Sequence, residues 1–189
     1  YAEDFNFTIK HLAVAKLSTS GIELRSHPVM LDINSSLAGL KGVRNGIQFD
    51  TDLLGAFHVA GSGAGRESTA SGLISDLHAL SKSNEVSPMN YPDFSNKPNI
   101  LNFNDLTFKF YVYLEVKDEP GVLALISKTF ADHNISFDKV IQKDQLQNGS
   151  VPLVIFTDPT IESEMQIALE GLADHPEVLN SKIIRIEDL

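Results

Sequence analysis

Asp118-Glu119-Pro120-Gly121-Val122-Leu123 brings two carboxylates, a proline and a glycine to the point where an alternating strand gives way to an amphipathic helix. Upstream, Phe108, Phe110, Val112, Leu114 and Val116 alternate with Lys109, Tyr111, Tyr113, Glu115 and Lys117, the period of a strand with one buried face. Downstream, Val122, Leu123, Ile126 and Phe130 recur at helical spacing. Pro120 suits a first helical turn, and Gly121 lets a ligand approach the backbone closely. The first amides of a helix have no partner within it and sit at the positive end of its dipole, so this corner suits a carboxylate or phosphate. Asp118 then either holds an ammonium group or, more simply, caps the helix.

A second glycine-rich stretch, Gly61-Ser62-Gly63-Ala64-Gly65-Arg66-Glu67-Ser68-Thr69-Ala70, precedes a helix predicted over 66–81, with Ala70, Leu73, Ile74, Leu77 and Leu80 on one face. It is not a Walker loop, since Arg66 and Glu67 stand where Lys and Ser or Thr are required. The dinucleotide fingerprint also fails, its third glycine falling on Arg66 or Ser68. What remains is a run of small residues at a helix start, suited equally to ligand contact and to close packing. The six histidines show no metal-pair spacing, so no metal site is expected, and His27 before Pro28 reads as a structural hydrogen-bonding residue. The acidic residues between Glu162 and Glu170 read as a solvated helix face.

The elements that position these residues follow in order. Ile9, Leu12, Ala13 and Leu17 predict a helix through about Ser20, with Gly21 as its stop, while Tyr1 to Phe7 carries no start signal and reads as continuing from something upstream. A strand over 22–31 contains Pro28 and is therefore expected at an edge or a bulge. Strands over 40–49 and 53–60, joined by Asp50-Thr51-Asp52, make an antiparallel meander in which Asn45-Gly46 reads as a bulge. Asn84 to Asp105 is rich in Asn, Pro and Ser and reads as a linker. Beyond it come strand, helix, strand (135–143), a turn at Asn148-Gly149, strand (151–157), a helix capped by Asp158-Pro159, and a closing strand (182–187). That order is a split βαβ, ferredoxin-like sandwich with both helices on one face. Tyr111 and Tyr113 would lie on its open face, where an edge strand invites a second copy, so a homodimer is expected.

With 189 residues, 42% of them hydrophobic, the chain can bury a sizeable core. Its net charge of -10 and lack of a Lys/Arg cluster argue against nucleic acid and anionic membranes as partners. No apolar run approaches the roughly twenty residues of a membrane span, no basic-then-apolar leader opens the chain, and there are no cysteines, so a cytoplasmic location is expected.

The corner motif, the βαββαβ order and Ile135-Ser136 opening the second strand make residues 107–189 resemble an ACT domain, the amino-acid-sensing module of metabolic enzymes. Upstream, Arg25, His27-Pro28, Leu37-Ala38, Gly42-Val43, Asn45, Gly55, Gly61-x-Gly63-Ala64-Gly65 and Thr69-Ala70-Ser71 with Asp76-Leu77 resemble the C-terminal half of homoserine dehydrogenase. The fold so implied is α+β: residues 1–84 form an antiparallel-sheet part of the catalytic and dimerisation domain with flanking helices, 85–106 a linker, and 107–189 a ferredoxin-like ACT domain. The resemblance implies NAD(P) as the cofactor of the complete enzyme, which interconverts aspartate semialdehyde and homoserine, and threonine as the effector. It places Gly63, Ala64, Gly65 and Thr69 near the cofactor, and Asp118, Gly121, Val122, Ile135 and Ser136 near the effector. The family's nucleotide-binding domain, its Asp/Lys proton-transfer pair and its substrate-binding Glu have no counterpart in this sequence. No catalytic residue is assigned, no cofactor is expected to be held by this chain alone, and it should be inactive alone. A stand-alone amino-acid sensor and a purely structural dimerisation module are the alternatives.

Overall fold

The computed structural model describes residues 1–82 and 99–189. The chain divides into two compact units, Tyr1–Leu31 with Asn99–Asp188, and Asp32–Pro98 with Leu189. The packing units therefore draw on separate stretches of chain and do not follow the segment boundaries at 84 and 107. Most of the expected linker lies outside the described residues. Its end is built into the first unit: Leu101 and Phe103 pack against the core and Leu106 belongs to it.

The first unit opens with β1 (Phe7–Ser18) and β2 (Gly21–Asp32), a hairpin where the spacing predicts a helix. Thr8, Lys10, Leu12 and Val14 are half-buried while Ile9, His11, Ala13 and Ala15 face outward, a period of two. The branched Thr8, Ile9 and Val14 favour the extended chain, and the helical spacing of Ile9, Leu12, Ala13 and Leu17 is incidental. Gly21 ends the hairpin turn, where Ser18 Oγ donates to its carbonyl at 2.9 Å.

The remaining strands are β5 (Thr107–Lys117), β6 (Phe137–Gln142), β7 (Ser150–Thr157) and β9 (Val178–Glu187), with α2 (Val122–Asp132) and α3 (Glu162–Ala173) between them. A two-residue strand, β8 (Thr160–Ile161), pairs with the start of β5. The sheet order is β1-β2-β9-β5-β7-β6. β9 runs antiparallel to β5 and parallel to β2, Val29 to Leu31 lying beside Arg185 to Glu187. Pro28 thus lies in an inner strand, and the β2–β9 ladder starts just beyond it.

One face of the sheet carries the main core, in which Phe110, Val112, Leu114 and Ile155 meet Ile126 and Phe130 of α2 and Met165, Ala168 and Leu172 of α3. The other face is not open as the sequence suggests. Ala2, Phe5 and Phe7 pack against Tyr111, Val154 and Phe156, and Tyr1 stacks on Tyr113 at 5.9 Å. Lys143 ties this segment down through Asp4 (3.1 Å) and the rings of Tyr1 and Phe5.

Two further expectations change around α3. Asp158-Pro159 precedes β8 and does not cap the helix, whose N-cap is Ile161. Glu162, read as a solvated acid, is 1% exposed. Arg185 Nε donates to its Oε2 at 2.7 Å, Arg185 Nη2 donates to Oε1, and Gln166 Nε2 donates to Oε1 at 2.8 Å. The Arg185 guanidinium also lies over the rings of Phe103 and Phe108. Beside it, Arg25 pairs with Glu187 at 2.6 Å.

His27 closes this cluster: protonated on Nδ1, it donates to the Pro28 carbonyl (3.0 Å) and accepts from Arg25 Nη1 on Nε2 (3.3 Å). Burial pushes its pKa below the ordinary value, the Pro28 carbonyl opposes that, and Arg185 and Arg25 add to the lowering.

In the second unit, β3 (Arg44–Thr51) and β4 (Gly55–Ser62) form an antiparallel pair followed by α1 (Arg66–Lys82). The register is unbroken from Arg44↔Ser62 to Thr51↔Gly55, so no bulge occurs at Asn45-Gly46, and Leu53 and Leu54 fall in the loop. Gly46 serves packing, since a Cβ there would meet Leu40 Cδ1 at 2.6 Å. The apolar stripe of α1 is bare: Leu73, Ile74, Leu77 and Leu80 are between 59% and 67% exposed.

Removing one partner of the enclosed pair strands a charge, so Glu162→Ala should lower the unfolding free energy by about 3 kcal/mol. Adding Arg185→Met should restore part of that loss, as read from urea denaturation midpoints. An unfolded chain takes up a proton at His27 more readily than the folded one, so stability should fall as pH drops below about 6.5. His27→Gln should flatten that fall in a pH series of melting temperatures.

Candidate functional site

β5 ends at Lys117 and α2 begins at Val122, so residues 118–121 form the corner. Gly121 is the N-cap with φ +97, a left-handed conformation in which a side chain is strained. Pro120 therefore precedes the helix and does not occupy its first turn. Asp118 does not cap, because no side chain accepts from the helix start. Val122 N donates to Glu119 C=O (3.3 Å) and Leu125 N to Gly121 C=O (2.9 Å). The amides of Gly121, Leu123 and Ala124 have no carbonyl partner among the described residues.

Leu123 also borders a small cleft of about 70 Å³. Val122, Ile126, Val151 and Leu153 give it apolar walls, while Lys117, Asp118, Glu119 and Gln142 ring it with polar groups. Free N–H groups with Lys117 suit a carboxylate, and Asp118 with Glu119 suits an ammonium group, together the head of an α-amino acid. The volume is well short of the roughly 300 Å³ of a complete small-molecule pocket, so a single chain offers only part of an enclosure.

Of the residues tied to an effector, Asp118, Gly121 and Val122 meet at this corner. Ile135 and Ser136 do not: Ile135 is in the core, and Ser136 C=O accepts from Asp158 N (3.0 Å) at the opposite end of β6. Six residues of strand separate Ser136 from Gln142, a distance of about 20 Å. Lys117 and Gln142 were not singled out in the sequence. Lys117 had a signal, as the last residue of the alternating strand, whereas Gln142 reaches the corner only through the pairing of β6 with β7.

The glycine-rich turn lies in the second unit. Gly63 N donates to Val43 C=O (2.8 Å), and a Cβ on Gly63 would overlap the Asn45 side chain at 1.8 Å, so this glycine is fixed by packing. Thr69 N donates to Gly65 C=O within the first turn of α1 (3.1 Å), and Ala64, Gly65 and Thr69 are solvent-exposed or nearly so. Main-chain donors at an open helix start can meet one edge of a phosphate-bearing cofactor. Arg66, the cation at this turn, lies 3.8 Å from Glu67 on the exposed surface. The turn therefore fits an edge contact only.

Among the described residues no three metal-ligating side chains converge, and no helix is long and apolar enough to cross a membrane.

The fold is mixed α and β with a mostly antiparallel sheet and few helices. Residues 1–78 match the family model of homoserine dehydrogenase. A homoserine dehydrogenase of Helicobacter pylori is 33% identical over 100% of this chain and 45% of its own length. One of Pseudomonas aeruginosa is 31% identical over 98% of this chain and 44% of its own. The crystal structure of a homoserine dehydrogenase from Thiobacillus denitrificans superposes with a TM-score of 0.85 at 30% identity, covering 100% of this chain and 44% of that one. A Staphylococcus aureus homoserine dehydrogenase shares the fold, with a TM-score of 0.59 at 19% identity. Over nearly its whole length the chain is similar to homoserine dehydrogenases, and it spans less than half the length of the relatives it matches.

A Cβ on Gly121 would meet nothing within 4 Å, so the cost of Gly121→Ala is conformational alone. It should lower stability by about 1 to 2 kcal/mol in a denaturant titration.

Proposed function

We propose that this chain is the dimerising and effector-sensing part of an NAD(P)-dependent homoserine dehydrogenase, a cytoplasmic enzyme of amino-acid biosynthesis. In the complete enzyme the nicotinamide supplies or accepts the hydride that interconverts aspartate semialdehyde and homoserine. The contribution of this chain to that chemistry is an edge contact from Gly63, Ala64, Gly65 and Thr69, with Gly63 holding the turn in place. Residues 107–189 act as a ferredoxin-like ACT module, a reading supported by the strand order β9-β5-β7-β6 with α2 and α3 on one face.

The observation that carries the regulatory half of the proposal is the corner, where Lys117 and Asp118 ring an apolar cleft next to the unpaired amides that open α2. Its small volume and the remoteness of Ser136 support completion by a second copy. β6 is the outer strand of the sheet beyond β7. Antiparallel pairing of β6 with its two-fold mate would bring the start of the mate's strand beside the end of this one. The mate's copy of the Ile135-Ser136 segment would then close the corner, and threonine is the amino acid assigned to it.

The test is a calorimetric titration with a panel of amino acids, accompanied by melting curves. At about one hundred times its dissociation constant threonine should add about 2.7 kcal/mol, raising the melting temperature by about 5 to 10 °C. Asp118→Ala should weaken that response. Heat with another amino acid and none with threonine would keep the sensor and replace its ligand, whereas no heat and no melting shift with any of them would leave a structural dimerisation module.

A further inference from the structure

The face of the sheet turned away from α2 and α3 holds a second and larger cleft, of about 320 Å³, within the first unit. Its size reaches the lower bound for a small-molecule pocket. Tyr111, Met30 and Ile184 lie at its apolar floor, and the stacked rings of Tyr1 and Tyr113 make one wall. In the β5–β9 register Lys182 lies opposite Tyr113 and Ile184 opposite Tyr111, so all four side chains share this face.

Several polar groups here are unspent, Lys182, Asn180 and Tyr111 among them. Lys182 is exposed at the mouth and has no carboxylate within ion-pair distance among the described residues. Tyr111 is only 7% exposed, and its phenol, which makes no hydrogen bond to any described residue, keeps its oxygen open to the cleft. Burial pushes the pKa of that phenol up to about 12, which keeps it a neutral donor. The neighbouring acid on β5, Glu115, is engaged, accepting from Ser150 Oγ at 2.6 Å and Asn148 Nδ2 at 2.8 Å.

A neutral phenol open to a cleft offers a ligand one donor and one acceptor, and an unpaired ammonium beside aromatic faces attracts a negative charge. A doubly charged phosphate would want more than the one cation that Lys182 supplies, while a flat ring can lie against the tyrosine pair in offset contact. We propose that this cleft binds a small aromatic monocarboxylate carrying a polar ring substituent. Its carboxylate meets Lys182, its ring lies between the Tyr113 and Ile184 side chains, and its substituent meets the Tyr111 hydroxyl. This site is separate from the corner, which lies on the helical side of the sheet, and does not depend on the function proposed there.

The chain has no tryptophan and four tyrosines, three of which line this cleft, so labelling with 3-fluorotyrosine makes the site report on itself. The probe is 4-hydroxyphenylacetate, titrated into the whole chain and followed by fluorine magnetic resonance, with signals assigned from Tyr→Phe variants. A ligand of this size should saturate in about the millimolar range. The Tyr111 and Tyr113 signals should move together. Lys182→Gln, at an exposed position, should weaken binding about tenfold while leaving the unliganded spectrum otherwise unchanged. Cyclohexylacetate, which keeps the acid and loses the aromatic ring and its hydroxyl, should bind several-fold more weakly. The proposal fails if the tyrosine signals show no saturable movement, if Lys182→Gln binds as well as the parent, or if cyclohexylacetate binds equally.

Discussion

A carboxylate shut away from water has to be met by a cation and by hydrogen bonds, and the first unit is assembled around one such requirement, at Glu162. Its partner, Arg185, comes from β9, its third donor, Gln166, from the next turn of α3, and its own amide donates to Leu106 C=O (2.8 Å) at the approach to β5. The guanidinium that answers Glu162 also lies over Phe103 and Phe108. Two residues along β9, Glu187 receives Arg25 of β2. A single strand therefore carries the charges that register α3 on one side and the N-terminal hairpin on the other.

The consequence is a sheet with two different faces. Helices α2 and α3 cover one and leave at its end a corner of unpaired amides, while the N-terminal segment covers the other and leaves a tyrosine-walled cleft. Lys143 sits near both: its amide donates to Pro152 C=O (2.9 Å) next to Gln142 of the corner, and its amine pairs with Asp4 of the covering segment.

What could be read from the sequence was local. The alternation of residues 108–117, the unbroken apolar run of β7 and the helical spacing from Val122 each state their structure within a few residues. What escaped depends on distant partners. Glu162 looks like any exposed helix acid until Arg185, in another strand, reaches it. Asn45-Gly46 has the chemistry of a turn, and only the packing of Leu40 against Gly46 explains a glycine in a straight strand. The short apolar set of β1 satisfies both the helical and the strand period, and the hairpin is decided by β2 and β9. The corner was legible as a backbone feature, whereas Gln142 and the remoteness of Ser136 were not, since both follow from how β6 pairs.

The pairing of Val29 with Arg185 joins chain separated by most of the sequence. During translation the β1–β2 hairpin emerges well before its inner neighbour, β9. Met30, fully enclosed in the finished molecule, is without that shelter until β9 follows. At some 5 to 20 residues per second, the interval is on the order of ten seconds, long enough for a nascent hairpin to need a chaperone or another temporary cover.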